Sequence, residues 1–349
     1  MLTLQQTAPQ EGAPLLHREA PAAPGAGEVL IDVAAAGLCG SDLHAIAWGP
    51  GYAFMSDLLP LTLGHEFSGT IRKLGPQVTD YVVGERVVCW PTVACGACDA
   101  CAEARLQDCQ ARRIIGLHRD GAFASQVLVP AANLFRLPAE LSLETAAMAE
   151  PLAVAVHAVN TAEISDGDKT LVLGPGPIGL FAAWVARQRG GQVALFGFQD
   201  SARLVCAREL GLQVADLAEQ NFDEAVQSLF GGTVDRVIEA TGRPQSVTDG
   251  LKVLRSSGIL VAAGIHAEPL SLNLTDFVRM KQQLRAAHDT TPAAFQEAVG
   301  LLAQHEAALS QAATHRLPLR EAPAAITLAK QREAVKVLLL PEPAMAPAR

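Results

Sequence analysis

Four of the seven cysteines fall within one short segment, and their spacing suggests metal chemistry. They are Cys95, Cys98, Cys101 and Cys109. Four thiolates this close together can form a closed tetrahedral shell around Zn²⁺, which leaves no position open to a substrate. We therefore predict a structural metal site that stabilises a loop with little core of its own. An iron–sulfur cluster or a redox disulfide pair is the alternative, since four sulfurs also suit iron.

A glycine-rich motif, GPGPIG, predicts a site for a dinucleotide. It follows an apolar run and precedes a helical pattern, which is the context that makes GxGxxG informative. The glycines permit a tight turn, a close approach of backbone to the pyrophosphate, and close packing of helix on strand. The residues concerned are Gly174, Gly176, Pro177, Ile178 and Gly179. The alternative is a Gly/Pro turn that binds nothing.

The end of the following strand should distinguish NAD from NADP. An acid at the strand tip commonly binds the ribose diol of NAD. Here the tip carries Phe198, and the first acid, Asp200, either reaches back to the ribose or caps the next helix, which is the role we favour. Arg203 lies one turn into that helix, so NAD and NADP both remain open. Glu239 and Thr241 follow the fourth strand of this domain, so we also expect them near the cofactor; the alternative for Glu239 is a purely structural role.

Alternating strands and helices predict the domain that holds this motif. Such alternation is typical of a parallel, doubly wound sheet, the Rossmann architecture. The predicted strands are 169–174, 192–198, 235–242 and 259–265. The predicted helices are 152–162, 177–190, 201–211 and 245–258.

The first 150 residues have a different character, with short strands punctuated by glycine and proline. Strands predicted at 28–37, 67–75, 85–90 and 123–130 indicate an antiparallel β domain with a barrel-like core. A further strand within 333–340 can rejoin this domain, and 341–349 is predicted to be a loose tail. We therefore divide this α/β chain into residues 1–152, 153–290 and a return segment, 291–349.

Composition excludes several classes of function. Half of the 349 residues are apolar and the formal net charge is −9, so we expect neither a nucleic acid nor an anionic membrane as partner. The N-terminus lacks the pattern of a signal peptide, and no apolar run reaches the ~20 residues that a membrane span needs. We expect a cytoplasmic protein that forms a homodimer or homotetramer.

These motifs together resemble the zinc-dependent medium-chain dehydrogenase family. The matching segments, in the family's order, are CGSDLH (39–44), GHEFSG (64–69), the four-cysteine lobe (95–109), AEPL (149–152) and GPGPIG (174–179). The resemblance implies a GroES-like β-barrel catalytic domain, built from both ends of the chain, with a Rossmann domain inserted. It also implies two zinc ions, one structural and one catalytic, and NAD or NADP as cofactor.

The resemblance implies a ligand set for the catalytic zinc. The ligands are Cys39, His65 and a carboxylate, Glu66 or Glu150, one of which binds directly while the other acts through water or during turnover. A lone Cys, His and Glu in β loops would otherwise carry little meaning. A zinc ion with an open position lowers the pKa of a substrate hydroxyl.

The same resemblance assigns a proton path. Ser41 resembles the hydroxyl that takes the proton, and His44 resembles the outer end of a relay through the cofactor ribose to solvent, a role that imidazole side chains commonly take. The alternative reading is local, with Ser41 and Asp42 capping a helix that begins there.

The expected substrate is a secondary alcohol, a polyol or an amino alcohol such as threonine. Glu150 is similar to the sorbitol dehydrogenase branch, and CGSDLHAIAW (39–48) is similar to L-threonine 3-dehydrogenase. The alternatives are a carbonyl reductase working in the opposite direction and a catalytically silent member with a binding role. Intact Cys39, His65, Ser41 and His44 argue against the silent member.

Overall fold

The computed structural model describes residues 1–49 and 51–342 of the chain. Most of the predicted loose tail, from residue 343 onward, lies outside the described residues. The chain separates into two compact units, one of residues 1–150 with the chain from 291 onward, and one of residues 151–290. Within the described part, no helix has both the length and the apolar character that crossing a membrane requires.

The N-terminal part of the first unit is made of short strands and brief helices. Its strands are β1 (Leu2–Gln6), β2 (Leu15–His17), β3 (Glu28–Gly37), β4 (Leu61–Thr62), β5 (Glu66–Leu74), β6 (Arg86–Cys89), β7 (Thr92–Val93), β8 (Arg113–Ile114), β9 (Gln126–Pro130) and β10 (Leu134–Arg136). Its α-helices are α1 (Gly40–Ile46), α2 (Asp99–Ala102) and α3 (Leu143–Ala146). Short 3₁₀ turns lie at Ala53–Leu58, Leu106–Asp108 and Ala131–Asn133.

The second unit alternates strands with helices. The helix α4 (Ala149–Thr161) leads into it. Its strands are β11 (Lys169–Leu173), β12 (Gln192–Gly197), β13 (Gln213–Asp216), β14 (Val234–Glu239), β15 (Leu254–Ala262) and β16 (Gln283–Ala286). Its other helices are α5 (Pro177–Gln188), α6 (Ser201–Glu209), α7 (Phe222–Phe230), α8 (Pro244–Val253) and α9 (Leu274–Arg279).

The chain then returns to the first unit. The returning elements are α10 (Pro292–Gln304), α11 (Glu306–Leu309), β17 (His315–Pro318), α12 (Ala322–Lys330) and β18 (Val337–Leu340), with 3₁₀ turns at Ser310–Ala312 and Leu319–Glu321. The strand β18 pairs with β3, so the predicted return of the C-terminal strand is confirmed.

β3 is the central strand of the first unit. Among the described residues the main sheet runs β10-β6-β5-β3-β18-β17, and β9 also pairs with β3. Neighbouring strands are antiparallel except β17 and β18. Val29, Ile31 and Ala36 of β3 are fully buried, and they join one apolar cluster with side chains of β5, β6 and β9. The predicted antiparallel β domain is confirmed.

The sheet of the second unit has the order β13-β12-β11-β14-β15-β16, and every neighbouring pair is parallel. This is the strand order of dinucleotide-binding folds. Because the strands are parallel, the carboxyl ends of β11, β12 and β14 meet at one edge of the sheet. The predicted doubly wound sheet is confirmed.

One local prediction needs correction, and some elements were not predicted. The helix predicted over 245–258 ends at Val253, and Leu254 already belongs to β15, where it pairs with Val234. Ser257 has a positive φ of 61° and Gly258 follows it, so a helix cannot continue there. The elements β13 and α7 were not predicted, although Asn221 caps α7 and Gly231 ends it at φ 70°.

Candidate metal and cofactor sites

The four cysteines of the lobe converge around one point. All four Sγ atoms lie within 4.8 Å of one another. The Sγ of Cys98 lies 3.5 Å from that of Cys101 and 3.9 Å from that of Cys109, and Cys95 lies 3.9 Å from Cys101. A tetrahedral shell with Zn–S bonds of about 2.3 Å has sulfur–sulfur edges of about 3.8 Å. The lobe therefore fits a single zinc ion.

The chemistry of these thiols also suits a metal. Backbone hydrogen bonds, first of all that from Gln110, lower the pKa of Cys98 to about 6. A backbone hydrogen bond from Ala97 lowers the pKa of Cys95 in the same way. Because the thiolate is the form that binds metal, the loop backbone prepares part of the shell for the ion.

Cys39, His65 and Glu66 are brought together by the pairing of β3 with β5. In this antiparallel ladder Gly37 lies opposite Glu66. Cys39 follows β3 and His65 precedes β5, so both lie at the same end of the ladder. One ligand atom from each of the three lies within 4.8 Å of the other two. A thiolate, an imidazole and a carboxylate are a donor set that fits a catalytic zinc.

The surroundings of His65 favour positive charge. Burial alone would lower the pKa of His65, but the charges of Asp42 and Cys39 raise it well above its usual range. The ring Nδ1 lies 3.4 Å from Asp42 Oδ1, and Nε2 lies 3.2 Å from Ser41 Oγ. A metal cation held by Cys39 and His65 would be stabilised by the same charges.

Glu66 is paired with a lysine that the sequence analysis missed. The Nζ of Lys336 donates to both carboxylate oxygens, at 2.9 and 2.8 Å, and to the carbonyl of Leu38 at 3.1 Å. Burial alone would lower the pKa of Lys336, but the charges of Glu66 and Cys39 raise it. The carboxylate also requires a glycine opposite it, because a Cβ on Gly37 would lie 2.1 Å from Glu66 Oε2.

Glu150 does not belong to the group formed by Cys39, His65 and Glu66 within the described residues. It is buried in the first turn of α4. Its charge also acts on Lys336, whose pKa it helps to raise. Glu150 is thus in electrostatic range of the same lysine as Glu66, and its role as a ligand stays a prediction.

The helix α1 carries the predicted proton path. Cys39 is its N-cap residue, and Asp42 Oδ2 accepts a hydrogen bond from the Cys39 amide at 2.9 Å. The capping role weighed for Asp42 is therefore present, whereas Ser41 turns to His65 instead. His44, one turn after Ser41, is exposed.

The GPGPIG motif adopts the predicted strand–turn–helix arrangement between β11 and α5. Gly174 has a φ of 102°, which favours glycine. A Cβ on Gly179 would lie 1.8 Å from the Gly174 carbonyl oxygen, so the helix packs as closely as predicted. A Cβ on Gly176 would meet nothing nearer than Arg203 Nη1, at 4.0 Å. The turn therefore leaves room for a pyrophosphate at the N-terminus of α5, as a dinucleotide requires.

After β12, Asp200 takes the predicted N-cap position but does not cap the helix with its side chain. Asp200 is the N-cap residue of α6, but its side chain makes no capping hydrogen bond. It lies instead 3.6 Å from Arg203 Nη1. Phe198, at the tip itself, is exposed. The roles of Asp200 and Arg203 towards the cofactor stay predictions.

The turn after β14 is organised by Glu239. Its Oε1 accepts hydrogen bonds from the amides of Thr241 and Gly242, at 2.6 and 3.0 Å, and from the Thr241 hydroxyl. Its Oε2 lies 2.9 Å from Nε2 of His266, in the turn after β15. Glu239 is fully buried, so it holds the turn that carries Thr241.

Lys336, His266 and Tyr52 were not among the predicted site residues. Lys336 could have been noticed in the sequence, because it directly precedes the apolar strand β18 and a buried lysine seldom lacks a charged partner. No sequence feature marked His266 or Tyr52 as a site residue. Only the fold brings His266 to Glu239, and only the fold brings Tyr52 within range of the charge of Cys39.

Comparison with known families accounts for most of the chain. Residues 25–139 match the alcohol dehydrogenase GroES-like domain. Residues 143–340 match the glucose dehydrogenase C-terminus. The two matches together include every predicted metal ligand and the GPGPIG motif.

Individual relatives are similar over most of their length. Sorbitol dehydrogenase of Halalkalibacterium halodurans is 36% identical over 323 residues, which cover 91% of this chain and 93% of the relative. L-Galactonate-5-dehydrogenase of Escherichia coli strain K12 is 35% identical over 304 residues, which cover 86% and 87%.

A solved structure has the same fold. The structure of 2R,3R-butanediol dehydrogenase from Bacillus subtilis superposes with a TM-score of 0.87 at 28% identity, and covers 98% of this chain and 100% of that chain. The chain therefore belongs to the zinc-dependent medium-chain dehydrogenase family.

Proposed function

We propose that this chain is a zinc-dependent dehydrogenase that oxidises a secondary alcohol, a polyol or a related amino alcohol with NAD or NADP. The observation that carries the proposal is the group of Cys39, His65 and Glu66, with Ser41 against His65. This donor set suits a catalytic zinc and leaves a position for substrate. The GPGPIG turn supplies the separate site that a dinucleotide needs.

Cys39 and His65 would hold the catalytic zinc together with the carboxylate of Glu66 or Glu150. When bound, zinc supplies Lewis acidity, which lowers the pKa of an alcohol placed beside it. The nicotinamide supplies the hydride acceptor. The four cysteines of the lobe would hold the second, structural zinc ion.

The protein's own side chains handle the proton. Ser41 would accept it from the substrate hydroxyl while releasing its own hydroxyl proton, and its contact with His65 places it near the metal ligands. His44, exposed and one helical turn later, passes the proton to solvent. Gly174, Gly176 and Gly179 would hold the pyrophosphate of the cofactor, and Asp200, Arg203 and Thr241 would lie near it.

We also propose a homodimer or homotetramer in the cytoplasm. The edge strand β16 and the exposed apolar side chains of α9 suit an interface between copies. A reducing compartment suits the thiolate ligands, which must stay unoxidised to bind metal.

Metal analysis of Cys39→Ala tests the function. The parent protein should contain about two zinc ions per chain. The variant should lose one of them and all turnover, while its affinity for NADH or NADPH, measured by fluorescence, should stay within about twofold. Cys206→Ser, which changes a cysteine outside both clusters, is the control. Retained turnover in Cys39→Ala would end the proposal of a catalytic zinc.

A further inference from the structure

A row of aromatic rings in the first unit connects the surroundings of the metal ligands with the protein surface. The rings of His44 and Tyr52 are stacked with their centroids 6.3 Å apart, and the ring centroids of Tyr52 and Phe54 are 6.0 Å apart. Phe54 in turn stacks on His118 at 4.5 Å. We call these four residues the aromatic row. The function proposed above uses His44 alone among them.

Tyr52 approaches the surroundings of the metal ligands through His44, which lies in the helix that Cys39 caps. Burial raises the pKa of its phenol to about 12, and the charges of Cys39 and Asp42 add to this effect. A phenol hydroxyl is a hydrogen-bond donor, so Tyr52 places a donor next to the helix that Cys39 caps.

The Tyr52 hydroxyl has no hydrogen-bond partner among the residues that the structure describes. The other tyrosine of the chain, Tyr81, donates to the carbonyl of Leu134 at 2.7 Å. A half-buried hydroxyl that is not paired within the protein can pair with a ligand instead.

The rest of the row offers an apolar surface next to this donor. Phe54 is 45% exposed, although it is large and aromatic. A polyol has a carbon chain that can pack on such a ring and hydroxyls that can meet a donor at its edge. A simple secondary alcohol has no second hydroxyl to offer, so it would leave the phenol unpaired.

We infer that Tyr52 donates a hydrogen bond to a hydroxyl next to the reacting carbon, and thereby selects diols and polyols over simple secondary alcohols. Tyr52 is then a specificity-determining residue, and Phe54 is the surface against which the substrate's carbon chain packs. The inference rests on the proposed function and narrows its substrate class.

Kinetics of Tyr52→Phe with two matched substrates test the inference. 2,3-Butanediol and 2-butanol differ by one hydroxyl. We expect kcat/KM of the zinc- and cofactor-loaded variant to fall about 10- to 100-fold for the diol, as for loss of one buried hydrogen bond. For 2-butanol the value should stay within about twofold. Tyr81→Phe, the control, should leave kcat/KM unchanged for both substrates. Equal losses for both substrates, or no loss for the diol, would overturn the inference.

A second measurement does not depend on turnover. With ¹³Cζ-labelled tyrosine the protein gives two tyrosine signals, because the chain has two tyrosines. In the protein loaded with reduced cofactor, which cannot accept a hydride, 2,3-butanediol should shift the Tyr52 signal, whereas 2-butanol should not, and Tyr81 should stay unchanged. An unmoved Tyr52 signal at saturating diol refutes the inference. If the parent protein oxidises no alcohol, the proposed function fails separately, and this titration still decides the role of Tyr52.

Discussion

Lys336 brings a positive charge into the interior of the first unit, where the residue is 1% exposed. Removing a charge from water is costly unless a partner and further hydrogen bonds compensate. Both oxygens of Glu66 and the carbonyl of Leu38 provide that compensation. Each member of the pair therefore requires the other, and together they fix Glu66 beside Cys39.

We expect Lys336→Met to destabilise the first unit by about 3–5 kcal/mol, because Glu66 would remain buried without its cation. The double variant Lys336→Met/Glu66→Gln should recover most of this loss, since neither charge of the pair remains buried. Urea unfolding at equal zinc content compares both variants with the parent. A double variant as unstable as the single one would trace the loss to packing of the lysine side chain rather than to the ion pair.

The sequence predicted individual site residues better than their arrangement. The four-cysteine spacing and the GPGPIG context are local, and both appear in the structure as predicted. Cys39, His65 and Glu66 could be proposed only through the family resemblance, because the β3–β5 register that joins them is not visible in a single sequence. Tyr52 could not be found at all, since a half-buried tyrosine in a loop resembles any other.

Among the elements, the four-cysteine lobe has little core of its own. Its helix α2 spans Asp99–Ala102, and most of the lobe's side chains are exposed. The ion that its thiolates would hold takes the place of an apolar core. This makes the lobe the element whose order should depend most on metal.

We expect Cys98→Ser to expose the lobe to trypsin. Loss of one thiolate opens the zinc shell, so the backbone at Arg105 and Arg113 should be cut, and mass spectrometry identifies the fragments. Cys89→Ser changes a buried cysteine outside the lobe and should leave the lobe uncut. Equal resistance of Cys98→Ser and the parent would show that the lobe is ordered without its metal.

Element boundaries were predictable where a change in hydrophobic periodicity coincides with a glycine. Both coincide at β11 and α5, which lie within one or two residues of the prediction. The end of α8 failed because Leu254 fits a helix as well as a strand, and its pairing with Val234 decides for the strand. Nothing in the local sequence encodes that pairing.

On the scale of the whole molecule, the second unit exposes several large apolar side chains in and after α9. Leu274 and Val278 of α9 are 64% and 62% exposed, and Met280 and Leu284 are also exposed. The neighbouring strand β16 pairs with β15 and ends the sheet. Exposed apolar groups beside an edge strand are suited to association with another copy of the chain.

We expect Val278→Asp to lower the oligomeric mass of the protein, because it places a charge within this apolar surface. Light scattering after size exclusion measures the mass. Val82→Asp is the matched control, since Val82 is 63% exposed in the first unit and should tolerate the charge. An unchanged mass for Val278→Asp would show that α9 lies outside the interface between copies.

The Lys336–Glu66 pair also has a consequence for how the chain is made. Its partners are 270 residues apart, and the second unit lies between them in the chain. On the ribosome, β3 and β5 emerge long before β18. Glu66 therefore lacks its cation while residues 151–290 are synthesised, and these residues can fold as a contiguous segment. The second unit can therefore form during synthesis, whereas the first is completed only once β18 has emerged. The catalytic metal would then bind only after the C-terminal strand has been synthesised.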